Sequence, residues 1–139
     1  MLFLDTEFSS FKGQLISMGI VSSITSEEFY AVLPLPSVIN PWVQEHVIPF
    51  LLIDPIPHFE FRDKLYRYLK RHEAETIIAD WPEDLSHLLE SLCEPNGVSY
   101  NLQLNLKLIK SGELKSKIPH NALSDARALA EWYLADTDY

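Results

Sequence analysis

The chain has 139 residues, 47% of them apolar and 12% aromatic, enough for one domain with a sizeable buried core. Twenty acidic residues against 11 basic ones give a net charge of −9, which argues against a protein that coats nucleic acid through a broad basic surface, though not against one that grips only a chain end. No segment approaches the roughly 18 uninterrupted apolar residues of a membrane span. Met1-Leu2-Phe3-Leu4 lacks the basic leader and cleavage site of a signal peptide, and a lone Cys93 excludes an internal disulfide, so the expected location is cytoplasmic.

In chain order, residues 2–8 and 14–23 read as strands rich in Leu, Ile and Val, with Lys12-Gly13 as the turn between them. Residues 28–33 predict a third strand, completing an antiparallel meander. Pro34, Pro36 and Pro41 then interrupt the sheet, and Asn40-Pro41-Trp42 has the pattern of an N-cap followed by Pro at the first helical position, which predicts a short helix to about Val47. Pro49, Pro55 and Pro57 make the next stretch a loop. Over residues 58–72, Phe61, Leu65, Tyr68 and Leu69 recur at helical spacing with charged residues opposite, the signature of an amphipathic helix.

Thr76-Ile77-Ile78-Ala79 is short and nearly all apolar, as a central strand should be, and Pro82 opens a helix in which Leu85, Leu88, Leu89 and Leu92 form a stripe. Gly97-Val98-Ser99-Tyr100 is the expected last strand. Lys107, Lys110, Lys115 and Lys117 against Glu113 leave a local excess of positive charge, expected on a solvated helix and loop. Asn121 predicts the N-cap of a final helix reaching about Ala135, with Leu123, Ala126, Ala130 and Tyr133 on one face. Strands first, then alternating helix and strand, predict an α/β fold: a mixed sheet, antiparallel in strands 1–3 and then parallel, with helices on its faces.

Three acidic segments carry the chemistry. Successive side chains of a strand alternate faces, so Asp5 and Glu7 point one way while Leu4 and Thr6 point the other. Two carboxylates on one site repel and raise one another's pKa, an arrangement that a divalent cation relieves. Asp84 lies at the start of a helix that follows a central strand, the edge where ligands gather, although Glu83 and Asp84 also suit the helix dipole there. His120 and Asp125 are too far apart in sequence for one helical face, but a His in a loop and an Asp in the following first turn can converge. Four carboxylates and an imidazole from three distant segments are what two divalent cations and an activated water require.

The order and types of these residues resemble the DEDDh group of 3′-to-5′ exonucleases within the ribonuclease H-like superfamily. Asp5 and Glu7 match its first motif, Asp84 its second, and His120 and Asp125 its third, H-x-x-x-x-D. Gln14-Leu15-Ile16-Ser17-Met18-Gly19 is similar to the strand after the first motif, and Asp125-Ala126-Arg127-Ala128-Leu129 to the helix bearing the last Asp. Asp5-Thr6-Glu7-Phe8 with Pro41-Trp42-Val43-Gln44-Glu45-His46-Val47-Ile48-Pro49 resembles the small bacterial exoribonucleases of this group, which are ribonuclease T-like. The second motif departs from the family's His-Asn, two residues, Phe and Asp: Asp80 falls at the Asn place and Glu83 at the Phe place. Asp84 is the favoured match, and Asp80, which ends a strand, is its rival.

The resemblance implies one exonuclease domain over residues 1–139 with a ribonuclease H-like sheet. It implies that Asp5, Glu7, Asp84 and Asp125 hold two Mg²⁺ or Mn²⁺ ions, and that His120 takes the proton of the attacking water. Nucleoside 5′-monophosphates would leave a single-stranded 3′ end, RNA favoured over DNA, with Thr6 and Phe8 contacting substrate and Phe8 and Phe11 stacking on the terminal base. A homodimer is a further expectation, with the lysine run presented to the partner's site. Two other classes stand beside this one: a catalytically silent nucleic-acid-binding or protein-binding domain of the same fold, and a small-molecule phosphodiesterase. The full set of acids weighs against the first, and four glycines, none spaced as a phosphate cradle, against the second.

Overall fold

A computed structural model describes residues 1–136. Five strands form one mixed sheet: β1 (Leu2–Phe8), β2 (Leu15–Ser22), β3 (Glu28–Val32), β4 (Thr76–Ala79) and β5 (Asn105–Leu108), in the order β3-β2-β1-β4-β5. The first three pair antiparallel, and β4 and β5 run parallel to β1, as the order of elements predicted. The helices are α1 (Pro41–His46), α2 (His58–Arg71), α3 (Pro82–Glu90) and α4 (Ala122–Asp136), with one turn of 3₁₀ helix, Ile48–Phe50, after α1. Among the described residues no helix is long and apolar enough to cross a membrane.

Alternation along β1 decides which helix covers which face. Leu2 and Leu4 join Met18 and Ile20 of β2, Ile77 of β4, and Phe61, Leu65, Tyr68 and Leu69 of α2 in the larger core, which also takes Leu88 of α3. Phe3 points the other way and packs with Val21, Ile78, Ala126 and Leu129 beneath α4. A third cluster, Ile16, Val32, Val43, Val47 and Leu51, seats α1 beside the sheet. The cap at α1 is as predicted: Asn40 Oδ1 accepts from the Trp42 backbone N–H at 2.8 Å and Pro41 opens the helix.

Three sequence expectations are corrected. Residues 97–100 are not the last strand, because they fold back on the end of α3: the N–H groups of Glu94 and Tyr100 donate to Val98 and Leu92 carbonyls at 2.7 and 2.9 Å, and only an isolated Cys93–Ser99 bridge remains. The strand parallel to β4 comes later, at β5, after a longer crossover. Lys107 therefore lies in a strand rather than in a solvated helix, its ammonium donating to the Tyr133 hydroxyl at 3.2 Å. Of the leucine stripe, Leu88 on α3 and Leu92 in the turn after it are buried as expected, but Leu89 faces out at 47% exposure, and His87 is buried in the helix's inner face.

Candidate metal centre

Parallel strands end at the same edge, and here that edge gathers the acids. Phe3 pairs with Ile78 in the β1/β4 ladder, so two residues further on Asp5 runs beside Asp80, where β4 has just ended. Pro82 at the first turn of α3 brings Asp84 back over the same edge. There the Asp84 Oδ1 accepts two bonds from one residue of β1: the Thr6 hydroxyl at 2.6 Å and the Thr6 N–H at 3.2 Å. Thr6 faces away from Asp5 and Glu7, as alternation requires, and in doing so it aims the carboxylate supplied by α3.

The third segment depends on a close approach. Gly19 of β2 lies opposite Asp5, and a Cβ there would stand 2.5 Å from the Leu123 nitrogen and 2.6 Å from the Ala122 carbonyl. Only a glycine lets α4 begin so near the sheet. Asn121 secures that start: its Oδ1 accepts from the Ser124 N–H at 3.0 Å, and its amide nitrogen donates to the Phe50 carbonyl at 2.8 Å and the Tyr30 hydroxyl at 3.2 Å. His120, one residue earlier, has φ of 67°, a left-handed backbone that costs a non-glycine residue on the order of 1 kcal/mol. Its N–H donates to Asp125 Oδ2 at 3.2 Å.

The predicted residues thus meet, in two clusters. One oxygen or ring nitrogen each from Glu7, His120 and Asp125 lie within 4.8 Å of one another, and so do oxygens of Asp5, Asp80 and Asp84. Sequence alternatives Asp80 and Asp84 both reach Asp5. Burial raises every one of the four matched acids. Asp5 is held well above the usual carboxylate range by burial and then by Asp84, Glu7, Asp125 and Asp80. Glu7 is pushed up to about 9 by burial, with Asp125 and Asp84 adding. Asp84 reaches about 7, again through burial, the Thr6 hydroxyl pulling the other way. Asp125 is raised by burial against hydrogen bonds from Ser116 and the His120 backbone.

These residues fit a divalent cation on a further observation: Asp5 Oδ2 and Asp84 Oδ2 are buried and have no hydrogen-bond partner. Mutually repelling carboxylates that keep buried oxygens without donors are stable only if protonated or paired with positive charge, and a set of carboxylate oxygens with one imidazole suits a hard divalent cation such as Mg²⁺ or Mn²⁺.

The clusters open into a cavity of about 760 Å³ lined by Asp5, Thr6, Glu7, Phe8, Asp84, His120 and Asp125, with aromatic rings around it. Phe11, Trp42 and Trp81, at 73%, 50% and 54% exposure, stand at its rim, wide apolar faces left to solvent beside the acids. Trp42 stacks on His46 with centroids 4.4 Å apart and meets the His120 ring edge-on at 4.9 Å. Phe8, which lines this cavity, packs against His87 at 5.0 Å, and His87 lines a second cavity of about 560 Å³ that holds no acidic cluster. Sequence reasoning did not single out for this site Gly19, Trp81 or Ser111, whose hydroxyl donates to Asp80 Oδ2 at 2.6 Å; a Gly inside a β-branched strand was the one available signal.

Compared with known proteins, the chain matches no family model and no curated protein.

Proposed function

We propose that this chain is a metal-dependent 3′-to-5′ exonuclease of the DEDDh group, with a ribonuclease H-like fold, acting on single-stranded nucleic acid and on RNA in preference to DNA. The observation that carries the reading is the meeting of Asp5, Glu7, Asp84 and Asp125 with His120 at one sheet edge, with buried carboxylate oxygens left without donors. Asp5, Glu7, Asp84 and Asp125 would hold two Mg²⁺ or Mn²⁺ ions. Bound there, the cations supply a water of lowered pKa and stabilise charge on the leaving 3′ oxygen.

The residues then divide the work. His120 takes the proton of the attacking water; the His120 N–H donates to Asp125 and its ring lies against Trp42, which together fix the imidazole beside the acids. Thr6 orients Asp84 through its hydroxyl. Phe8 and the exposed Phe11 offer the terminal base a stacking surface, which tolerates any base because every base has a π-face. Preference for RNA rests on the resemblance to small exoribonucleases. A homodimer belongs to the same proposal, and sedimentation showing only monomer at working concentration removes it.

The test is incubation of the purified chain with 5′-labelled single-stranded RNA and its DNA counterpart, with Mg²⁺, with Mn²⁺ and with chelator. The expected result is a ladder shortening one nucleotide at a time from the 3′ end, faster on RNA, absent with chelator and absent for a folded Asp5→Asn variant. Intact oligonucleotide under every condition overturns the proposal.

A further inference from the structure

The Asp5 side of the centre holds one carboxylate more than the proposed chemistry assigns. Asp80 follows directly on β4, and its Oδ2 accepts a 2.6 Å hydrogen bond from the Ser111 hydroxyl. One of its oxygens lies within 4.8 Å of oxygens of both Asp5 and Asp84. Clustered acids on a chain of this charge are by themselves no site. Within this cluster, however, Asp5 Oδ2 and Asp84 Oδ2 are buried with no hydrogen-bond partner, and Asp84 is only 2% exposed. A third carboxylate held against two that each keep a buried oxygen without a donor adds repulsion, unless positive charge sits among them.

We propose that Asp80 is a cation ligand, so that Asp5, Asp80 and Asp84 together hold one divalent cation and Ser111 aims Asp80 at it. The proposal rests on the reading above that the centre binds divalent cations, and it turns two competing candidates for one motif position into joint ligands. Three carboxylates give this site more charge than Glu7 and Asp125 give theirs, so it is the tighter of the two and fills first. Ser111 lies between Lys110 and Lys115, and its bond to Asp80 ties that lysine-bearing segment to the cation. The competing explanation is that Asp80 serves only to anchor this segment through Ser111. An anchor changes stability without changing cation affinity.

Titration of the full-length chain with Mn²⁺ alone, read by electron paramagnetic resonance and calorimetry, separates the two. The parent is expected to bind two ions. Asp80→Asn keeps the side-chain size and an acceptor for Ser111, and it should weaken the tighter site by at least the roughly 10- to 100-fold that loss of a ligand's outer-shell partner costs, while leaving the other unchanged. Ser111→Ala should weaken the same site by less, and Glu7→Gln should weaken the other one. An Asp80→Asn variant that titrates like the parent overturns the proposal, even if it melts earlier; if that variant does not fold, Ser111→Ala carries the same two outcomes. RNA cleavage is read separately. A parent that binds two ions yet leaves RNA intact overturns the exonuclease reading and not the role of Asp80. A parent that cleaves while Asp80→Asn titrates unchanged overturns the role of Asp80 alone, and a parent that binds no Mn²⁺ overturns it too.

Discussion

In the proposed chemistry His120 is the base, and its setting is specific. A left-handed backbone, a bond from its N–H to Asp125 and an edge contact with Trp42 hold the imidazole beside Glu7 and Asp125. An imidazole there serves either as base or as ligand, and the two roles part on substitution. As base, His120→Ala should lower turnover by about 10²- to 10⁴-fold while Mn²⁺ binding is kept. A variant that loses one of two bound ions instead assigns His120 to the cation, and one with full turnover across pH removes it from the reaction. Thr6 illustrates how far alternation carries at this scale: it put Thr6 opposite Asp5 and Glu7, but only the return of α3 over the strand edge gave its hydroxyl a carboxylate to hold.

The element that positions Asp125 is α4, and its height above the sheet is set at Gly19. An added Cβ would overlap the Ala122 and Leu123 backbone, which a side-chain rotation cannot relieve. Gly19→Ala should therefore push the start of α4 outward, at a cost of about 1–3 kcal/mol, and carry Asp125 away from Glu7. Chemical denaturation should show the loss, and hydrolysis at saturating Mn²⁺ should fall by more than stability explains. Parental turnover in this variant would mean that the gap between β2 and α4 is not what sets the site. At this scale most of the chain was legible: β1 and β2 are short apolar runs buried on both faces, and α1, α2 and α4 follow apolar spacing and caps, signals that depend on near neighbours. β5 was not, since all four of its residues are exposed and only its pairing with β4 makes it a strand.

For the whole molecule, the raised acids make stability depend on pH in an uncommon direction. Glu7 titrates near 9 and Asp84 near 7 when folded, against ordinary values of 4.5 and 3.8, so over that window the folded chain binds more protons than the unfolded one. The stability they contribute is fully present below the ordinary values and is lost as pH rises through 7 and 9. Glu27 and Glu28, lowered by Arg71 and Arg127, act with the opposite sign but only in more acidic solution. Without cations the melting temperature should therefore fall by about 5 °C or more between pH 5 and pH 9. Mn²⁺ should restore it at pH 9 and change it little at pH 5, where protons already occupy the carboxylates. A flat profile in chelator would show that the acids are not buried together in the folded chain.

Periodicity, caps and turn residues were enough to specify an α/β chain with an antiparallel meander followed by parallel strands, because those signals depend on near neighbours and on which face is buried. The ordered acids Asp5, Glu7, Asp84 and Asp125 with His120 were also visible as a set. Which acids share a site was decided by tertiary structure alone: the joint approach of Asp80 and Asp84 to Asp5, and of Glu7 to Asp125. Strand register, the fold-back after α3 and the clearance at Gly19 are relations between segments far apart in sequence, and burial, which raises the acids, exists only once those segments have packed.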